Sequence, residues 1–491
     1  MKKKYVRWTL WTIASPFILF IILCILIYLP PIQNFLVDKA AVYASEATGM
    51  NISVGRISLS FPLNLVVTDV DAASPHNDTL LSVRRLQVNV QLLPLLKKQV
   101  EVDGISLQGA TVNSNDLIHG MKLNGTLGEL FISSHGVALD PETAIINKVL
   151  LKDTDLSLCL NDTAAADTVA SDTTYWKIIL QDIDLQNVSF ALDMPLDSLS
   201  LAASLDNAIL RDGLIDLHKS AYSLQTFRIE NGRVRYDSGK PLAADSLSSG
   251  LDPSHIALTD IGVKLDSLYY EGRNMKAIIS QFVLKERSGV EIVSATGRMV
   301  SNDKVLRVPS LKLETRDSYL ELNAAMDWNA LDFKDEGLVS ARLMADIGKP
   351  DVVRFMGSMD EKFIRQYPSE PLRIRTGIDG DLNKLKLTTL TAELPGALGL
   401  FARGELTHLT DNLLRGGDIT LEAETKDLKF VSTLAEGIEI PYGTRLEGKF
   451  TMAGTKMGTD LLLMQPEAQA VVAADTIPIT VYNDSISVAD D

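Results

Sequence analysis

Apolar residues recur along this chain with two different periods, and the change from one to the other divides it. From Ile32 to Thr48 the positions Ile32, Phe35, Leu36, Ala40, Tyr43, Ala44 and Ala47 fall at helical spacing, and Gly49 supplies a stop. From Ile52 the period is two. Ile52 and Val54, then Ile57, Leu59, Phe61, Leu63, Leu65 and Val67, alternate with polar or small residues. The same alternation returns at Leu86, Val88, Val90 and Leu92, at Leu372 and Ile374, and at Leu385 and Leu387. It predicts strands with one apolar face and one wet face. Turn clusters such as Ser74-Pro75-His76-Asn77-Asp78 and Ser238-Gly239-Lys240-Pro241 punctuate them. The stretches Asn161–Thr174 and Ala243–Ser254, rich in Ala, Ser, Asp and Thr, read as long surface loops. Helical spacing reappears at Asp351–Tyr367, with Val352, Phe355, Met356, Met359 and Phe363 on one face, and over the shorter Asp427–Ala435. Helices this few cannot cover both faces of a large sheet, which excludes a βαβ architecture. The fold class is mainly β.

Two recurrences refine this. Ile105-Ser-Leu107-Gln-Gly109 then Val112, Val149-Leu-Leu151-Lys-Asp153 then Leu156, Ile183-Asp-Leu185-Gln-Asn187 then Phe190, and Phe227-Arg-Ile229-Glu-Asn231 then Val234 share one outline. In each, the apolar parity flips after Gly109, Asp153, Asn187 or Asn231. These residue types tolerate positive φ and favour bulges, where one extra residue swaps faces and bends the strand. The flips mark either corners of a curled sheet or ordinary turns in unrelated sandwiches. The second recurrence is Gly-x-apolar, at Gly297, Gly380, Gly404 and Gly448. Asp351-Val-Val-Arg-Phe355 and Asp427-Leu-Lys-Phe430 each open a helix-like segment ahead of a Pro-containing loop, a shared order that suggests a duplicated unit.

The N-terminus carries a different signal. Leu10 to Leu29 are 20 consecutive uncharged residues, 13 of them Leu, Ile or Phe. At about 1.5 Å per residue they span a hydrocarbon core of roughly 30 Å. Lys2, Lys3, Lys4 and Arg7 precede the span and Asp38 is the first charge after it, so the positive-inside rule leaves residues 1–9 in the cytoplasm. Trp8, Trp11 and Tyr28 stand where interfacial aromatics are expected. The competing reading is a cleaved signal peptide, whose apolar region is only about 7–15 residues long. The organisation expected is a tail over 1–9, an anchor over 10–29, an amphipathic helix over 30–49, and a β region over 50–491 outside the cytoplasm.

Composition narrows the function classes. With 63 acidic against 47 basic residues the net charge is -16, which argues against a nucleic-acid partner. Two cysteines, Cys24 inside the anchor and Cys159 in a strand, make an internal disulfide or a cysteine-rich metal site improbable. The six histidines are scattered, with no His-Glu-x-x-His; no Gly-x-Ser-x-Gly elbow, P-loop or Rossmann glycine run occurs. The plentiful carboxylates lie on alternating strands and read as a solvated face. The chain is not expected to be an enzyme, and no cofactor or metal is expected.

The order of anchor, amphipathic helix, Thr48-Gly49-Met50-Asn51-Ile52-Ser53-Val54-Gly55-Arg56-Ile57 and Leu59-Ser60-Phe61-Pro62-Leu63-Asn64-Leu65-Val66-Val67-Thr68-Asp69-Val70 resembles the start of AsmA-like proteins, particularly the TamB branch. Asp78-Thr79-Leu80-Leu81 ahead of the Leu86–Leu92 strand, and the Gly-x-Leu strands near Gly380 and Gly404, are similar to that branch too. The resemblance runs to about Phe450. It implies an anchor in the bacterial inner membrane and a periplasmic antiparallel sheet curled lengthwise into a taco-like groove with an apolar interior. Such grooves are linked to moving phospholipid towards the outer membrane and to assembling outer-membrane proteins. TamB-type proteins are much longer and carry a C-terminal region that meets an outer-membrane barrel partner; after Gly448 this chain has only a few strands and a polar end.

Three functions follow. In the first, acyl chains of phospholipid fill the groove, lined by Ile52, Val54, Leu86, Val88, Val90, Ile105, Leu107, Ile183, Leu185, Leu372, Ile374, Leu385 and Leu387. About thirty strands at ~4.8 Å each would make it on the order of 100 Å long. In the second, strand edges or the groove guide outer-membrane proteins during assembly. In the third, the same residues form the closed cores of a membrane-tethered array of β-sandwiches. Small domains would then appear on limited proteolysis, and a charge at Val88 or Leu107 would unfold one of them.

Overall fold

The computed structural model describes residues 39, 41–42, 45–46, 49–60, 64–74, 78–90, 102–114, 120–138, 142–161, 175–239, 250–332, 337–356, 361–433, 442–464, 479–482 and 485–488. The expected anchor and its cytoplasmic tail lie outside them, and of the amphipathic segment positions 39, 41, 42, 45 and 46 are described and helical. Among the described residues no helix is long and apolar enough to cross a membrane. Most of the two polar loops expected at 161–174 and 243–254 also lies outside. The described residues hold 24 strands and only short helical segments, so the chain is mainly β. They divide into two compact units, residues 1–219 with 234–239, and residues 220–233 with 240–491.

The first unit is a ladder of consecutive strands. β1 (Asn51–Ser60), β2 (Asn64–Ala73), β3 (Thr79–Val90) and β4 (Val102–Asn113) are followed by four strands of 18 residues each. These are β5 (Met121–Ala138), β6 (Thr143–Leu160), β7 (Lys177–Met194) and β8 (Leu199–Asp216). Each pairs with the next, antiparallel in every case but one: β6 and β7 run parallel, Thr143 beside Lys177 and Leu158 beside Leu192. A parallel pair needs a crossover instead of a hairpin, and the residues that connect β6 to β7 lie mostly outside the described ones.

The parity flips have a backbone cause. Asp69, Gly109, Asp153 and Asn187 all have φ near +50 to +60°. They lie in one line: Gly55, Asp69, Arg84, Gly109, Gly128, Asp153 and Asn187 are the positions where pairing lapses on successive strands β1 to β7. The register resumes unchanged beyond them, Gln108 facing Glu129 and Ala110 facing Leu127. The expected extra bulge residue is therefore absent along this line. A left-handed residue breaks the two-residue alternation by itself, without lengthening the strand. Its bend brings the facing strand close, and glycine meets that need: a Cβ on Gly55 would stand 2.9 Å from the Asp69 Cβ, and one on Gly128 2.8 Å from the Asp153 Cβ.

The second unit contains β9 (Ala221–Leu224), the first part of β10 (Thr226–Ser238), β11 (His255–Glu271), β12 (Asn274–Glu286), β13 (Glu291–Ser301), β14 (Val305–Thr315) and β15 (Tyr319–Asp327). It continues with β16 (Leu338–Ile347), β17 (Leu372–Asp381), β18 (Lys384–Leu394), β19 (Leu398–Thr407), β20 (Gly416–Thr425), β21 (Arg445–Ala453), β22 (Lys456–Met464), β23 (Ile479–Tyr482) and β24 (Ser485–Val488). From β11 to β24 each strand pairs antiparallel with its successor, and β9 pairs with β11. True register shifts do occur here, at Asp260 between Thr259 and Gly262 and at Thr388, whose hydroxyl donates to the Gly377 carbonyl at 2.8 Å.

The helix expected over Asp351–Tyr367 is two helices, α2 (Lys349–Phe355) and α3 (Glu361–Gln366), after the short α1 (Trp328–Leu331). Gly357 and Ser358, weak helix formers, stand between α2 and α3. Over Asp427–Ala435 only the 3-10 turn Val431–Thr433 forms among the described residues. The N–H groups of Lys426 and Asp427 donate instead to Ala397 and Gly396 in the β18–β19 turn. These segments close two small cores at opposite ends of the strands. Phe363, Tyr367, Leu394, Ala397, Leu428 and Phe430 form one; Ala330, Val339 and Leu382 form the other, with Leu385 and Leu409 against it. Burial raises the Tyr367 phenol above its ordinary pKa.

α2 is held by a buried carboxylate. Asp351, 1% exposed, accepts from the Thr315 hydroxyl, from the Ser318 hydroxyl at 2.6 Å and from Arg354 at 3.0 Å, and Ser318 Oγ accepts the Gly348 N–H. Asp351→Ala removes an acceptor from two hydroxyls while Arg354 keeps Asp317 at 2.9 Å. It should lower the unfolding free energy by about 1–3 kcal/mol in urea titration. Gly128→Ala should cost about 1–3 kcal/mol by the same measurement, whereas Gly399→Ala, whose Cβ would meet nothing within 4 Å, should be neutral or mildly stabilising.

Candidate functional site

Residues paired directly across a ladder share a face, so the registers assemble rows that no single strand reveals. In the first unit, Ile57, Val67, Leu86, Leu107, Leu130, Leu151, Leu185 and Ala208 form one row across β1–β8. Leu59, Leu65, Val88, Ile105, Ile132, Val149, Ile183 and Leu210 form the next. Neither contains a polar residue. Beyond the left-handed line lies a third, Val54, Val70, Val83, Ala110, Leu127, Thr154, Val188 and Leu205, polar only at Thr154. Ile52 starts a fourth, with Ala72, Leu81, Val112, Gly125, Leu156, Phe190 and Ala203.

One polar row borders the left-handed line and another separates the third row from the fourth, whereas the row between the first and second, Ser58, Val66, Gln87, Ser106, Phe131, Leu150, Asp184 and Ile209, is mixed. Between the third and fourth runs Ser53, Asp71, Ser82, Thr111, Thr126, Asp155, Ser189 and Ser204, without one apolar member. Arg56, Thr68, Arg85, Gln108, Glu129, Lys152, Gln186 and Asn207 run beside the line on its other side. The phase change at the line keeps apolar rows on the less exposed face on both sides: their members are half-buried or buried apart from Leu81 and Phe190. The wet face is tied by side chains, Asn187 to Asp153 and Ser189 to Asp155, both at 2.9 Å.

In the second unit Ala295, Leu313, Leu320, Ala345, Ile374, Ala392, Leu400, Ala423 and Leu446 make an apolar row over β13–β21. Large and small residues trade places along it. Leu387 lies two rows further along, with Ile378, Gly404 and Ile419, and Leu385 beyond it with Gly380, Leu406 and Gly417. The Gly-x-apolar recurrence thus marks apolar-row positions; at Gly404 a Cβ would fall 2.1 Å from the Asp418 carbonyl oxygen. Cross-strand ion pairs cover the opposite face, among them Lys384–Glu405 at 3.1 Å and Lys449–Asp418 at 3.0 Å. One device appears in both units. Arg211 donates to Asp184 at 2.7 Å and to the Ile183 and Leu210 carbonyls; Arg375 donates to Asp346 at 2.7 Å and to the Ala345 and Ile374 carbonyls.

All thirteen residues singled out from sequence are half-buried. Leu86, Val88, Ile105, Leu107, Ile183 and Leu185 come together in two adjacent rows, and Ile52 and Val54 lie across the line from them. Val90 ends β3. Leu372 packs against the core around Phe363, and Leu385 against the one around Leu382. Leu130, Ile132, Val149, Leu151 and Leu210 complete the rows and were not singled out; their alternation was as clear, but their alignment depends on register. Close backbone contacts between strands link ladder neighbours, and helical segments add such contacts only locally.

Reactive chemistry is sparse. Among the described residues no cluster of His, Cys, Asp and Glu could hold a metal ion. Apart from the buried Tyr367, the shifted groups lie in hydrogen bonds at the surface: Tyr319 is held above its ordinary pKa by the bond it donates to Glu321, and Lys285 by Asp260. No family model matches the chain, and no curated protein matches its sequence.

A half-buried position such as Leu107 tolerates a charge better than a closed core position such as Phe363, 1% exposed. Leu107→Asp should cost under about 2 kcal/mol, because its carboxylate keeps water, whereas Phe363→Asp buries a charge and should unfold the second unit. Urea titration with tryptophan fluorescence and circular dichroism reads both.

Proposed function

We propose that the apolar rows bind the acyl chains of phospholipid and that the chain is a membrane-anchored lipid carrier of the AsmA-like, TamB-type kind. It would be fixed in the bacterial inner membrane by Leu10–Leu29, with its N-terminus cytoplasmic and its β units periplasmic. The observation that carries this reading is the pair of uninterrupted aliphatic rows over eight strands, half-buried except at the buried Ala208. Contiguous exposed apolar surface beyond a few hundred Å² marks a site of interaction in a soluble region. Aliphatic rows without aromatic or charged members suit a flexible hydrocarbon chain better than a planar or polar ligand. A methylene moving from bilayer to protein keeps its ~0.8 kcal/mol of burial only while its surroundings stay apolar, so continuity of the rows is the property that matters. Head groups would remain in water beside the polar rows. No residue performs a reaction in this scheme; direction comes from lipid gradients or partners.

The assembly-factor reading, with an outer-membrane barrel as client, uses the same surface for protein strands, and the sandwich reading requires it to be packed shut. One experiment separates the three. The full chain, purified in mild detergent and analysed by native mass spectrometry, should carry phospholipid. Leu107→Asp with Leu151→Asp should reduce that lipid several-fold while circular dichroism is unchanged. A purified chain without lipid, or a double variant that retains it, would overturn the proposal.

A further inference from the structure

The connection between β19 and β20 in the second unit projects two leucines into solvent. Leu413 is 84% exposed and Leu414 65%, the first being the most exposed large apolar side chain among the described residues. They are not on a loose tip. The Asp411 carboxylate accepts the N–H of Leu413 at 2.8 Å and of Leu414 at 3.2 Å, and the Arg415 N–H donates to the Asp411 carbonyl at 2.8 Å. Below them, Arg415 Nε donates to the Gly454 carbonyl at 2.7 Å, and the Gly454 N–H returns to Arg415. At the other end, the His408 and Leu409 N–H groups donate to Asn383 and Leu382 in the β17–β18 turn. The knob is therefore fastened to hairpins on both sides.

We propose that this knob inserts into the acyl layer of a lipid bilayer. Water-facing loops seldom display two adjacent leucines, and a protein groove that received them would also offer partners to backbone N–H groups. Here the N–H groups of Leu413, Leu414 and Arg415 are already bound within the loop. That meets, for these three donors, part of the requirement for placing backbone in hydrocarbon, where an unsatisfied donor has no partner. Arg415 sits one residue further in, at the depth of phosphate head groups. Leu338, 65% exposed, and Leu331, 42% exposed, stand at the same end of the strands, some three strands away, or about 14 Å along the ladder. They extend an apolar rim that a flat bilayer can meet at several points.

The contact does not depend on lipid occupying the apolar rows, and its test keeps the two apart. A photo-crosslinking residue replaces Leu413 in the full chain, reconstituted into vesicles of phosphatidylethanolamine and phosphatidylglycerol; the control site is Lys386, exposed on the wet face of β18. Irradiation should give adducts of phospholipid mass at position 413 and none at 386. With the crosslinker at Leu338, Leu413→Asp with Leu414→Asp should lower lipid adducts roughly tenfold. The phospholipid extracted from the same chain before reconstitution should not change. Adducts to a second copy of the chain, or a yield at 413 no greater than at 386, would overturn the inference while leaving the lipid-carrier reading to its own assay.

Discussion

A line of residues that leave the extended conformation together, strand after strand, is the constraint on which the first unit depends. Asp69, Gly109, Asp153 and Asn187 have left-handed backbone, and Gly55, Arg84 and Gly128 face them. Because the lapse falls at the same place in each ladder pair, the sheet can bend along it while the hydrogen bonds on either side keep their register. The same lapse resets the pleat, which lets apolar rows on both sides of the line share the less exposed face. Were the left-handed residues staggered, each bend would oppose its neighbour and the polar rows would cut across the apolar ones.

The second unit solves a different problem. Its strands of about ten residues are closed at their two ends by small cores, one built with α3 and the segment ahead of β21, the other with α1. The two inserted segments follow one plan: a hairpin, a third strand, then a turn that returns to the hairpin tip. Asp351 reaches Thr315 and Ser318 in the β14–β15 turn, and Lys426 and Asp427 reach Ala397 and Gly396 in the β18–β19 turn. Four strands separate these arrangements. Stability in such a ladder is a sum of neighbour contacts, and these small cores add packing at its two ends.

Much of this was legible in the chain before any fold was known. Period-two alternation identified β1 to β4 and the strands around Ile374 and Leu387, and the flips after Gly109, Asp153, Asn187 and Asn231 coincide with positive φ at all four. The mechanism assigned to the flips was wrong along the line in the first unit, since parity alone cannot tell an inserted residue from a left-handed one. The parallel β6–β7 pair was also invisible, because alternation reads the same in either direction. The long helix expected after Asp351 is described as the separate α2 and α3, and the one after Asp427 failed because its backbone is used by a neighbouring turn. The second loss comes from tertiary hydrogen bonds that a helical apolar pattern does not register.

By itself, the sequence determined which residues are apolar, that they alternate, where the alternation stumbles, and that its chemistry offers no obvious reacting group. Local sterics and side-chain polarity suffice for those. Only the tertiary structure decided that Leu86, Leu107, Leu130, Leu151 and Leu185 are neighbours, that Leu372 and Leu385 belong to closed clusters, and that Leu413 and Leu414 stand on a braced knob. Which strand pairs with which, and in what register, is settled by ladder hydrogen bonds between distant parts of the chain, and a row exists only once those bonds are made.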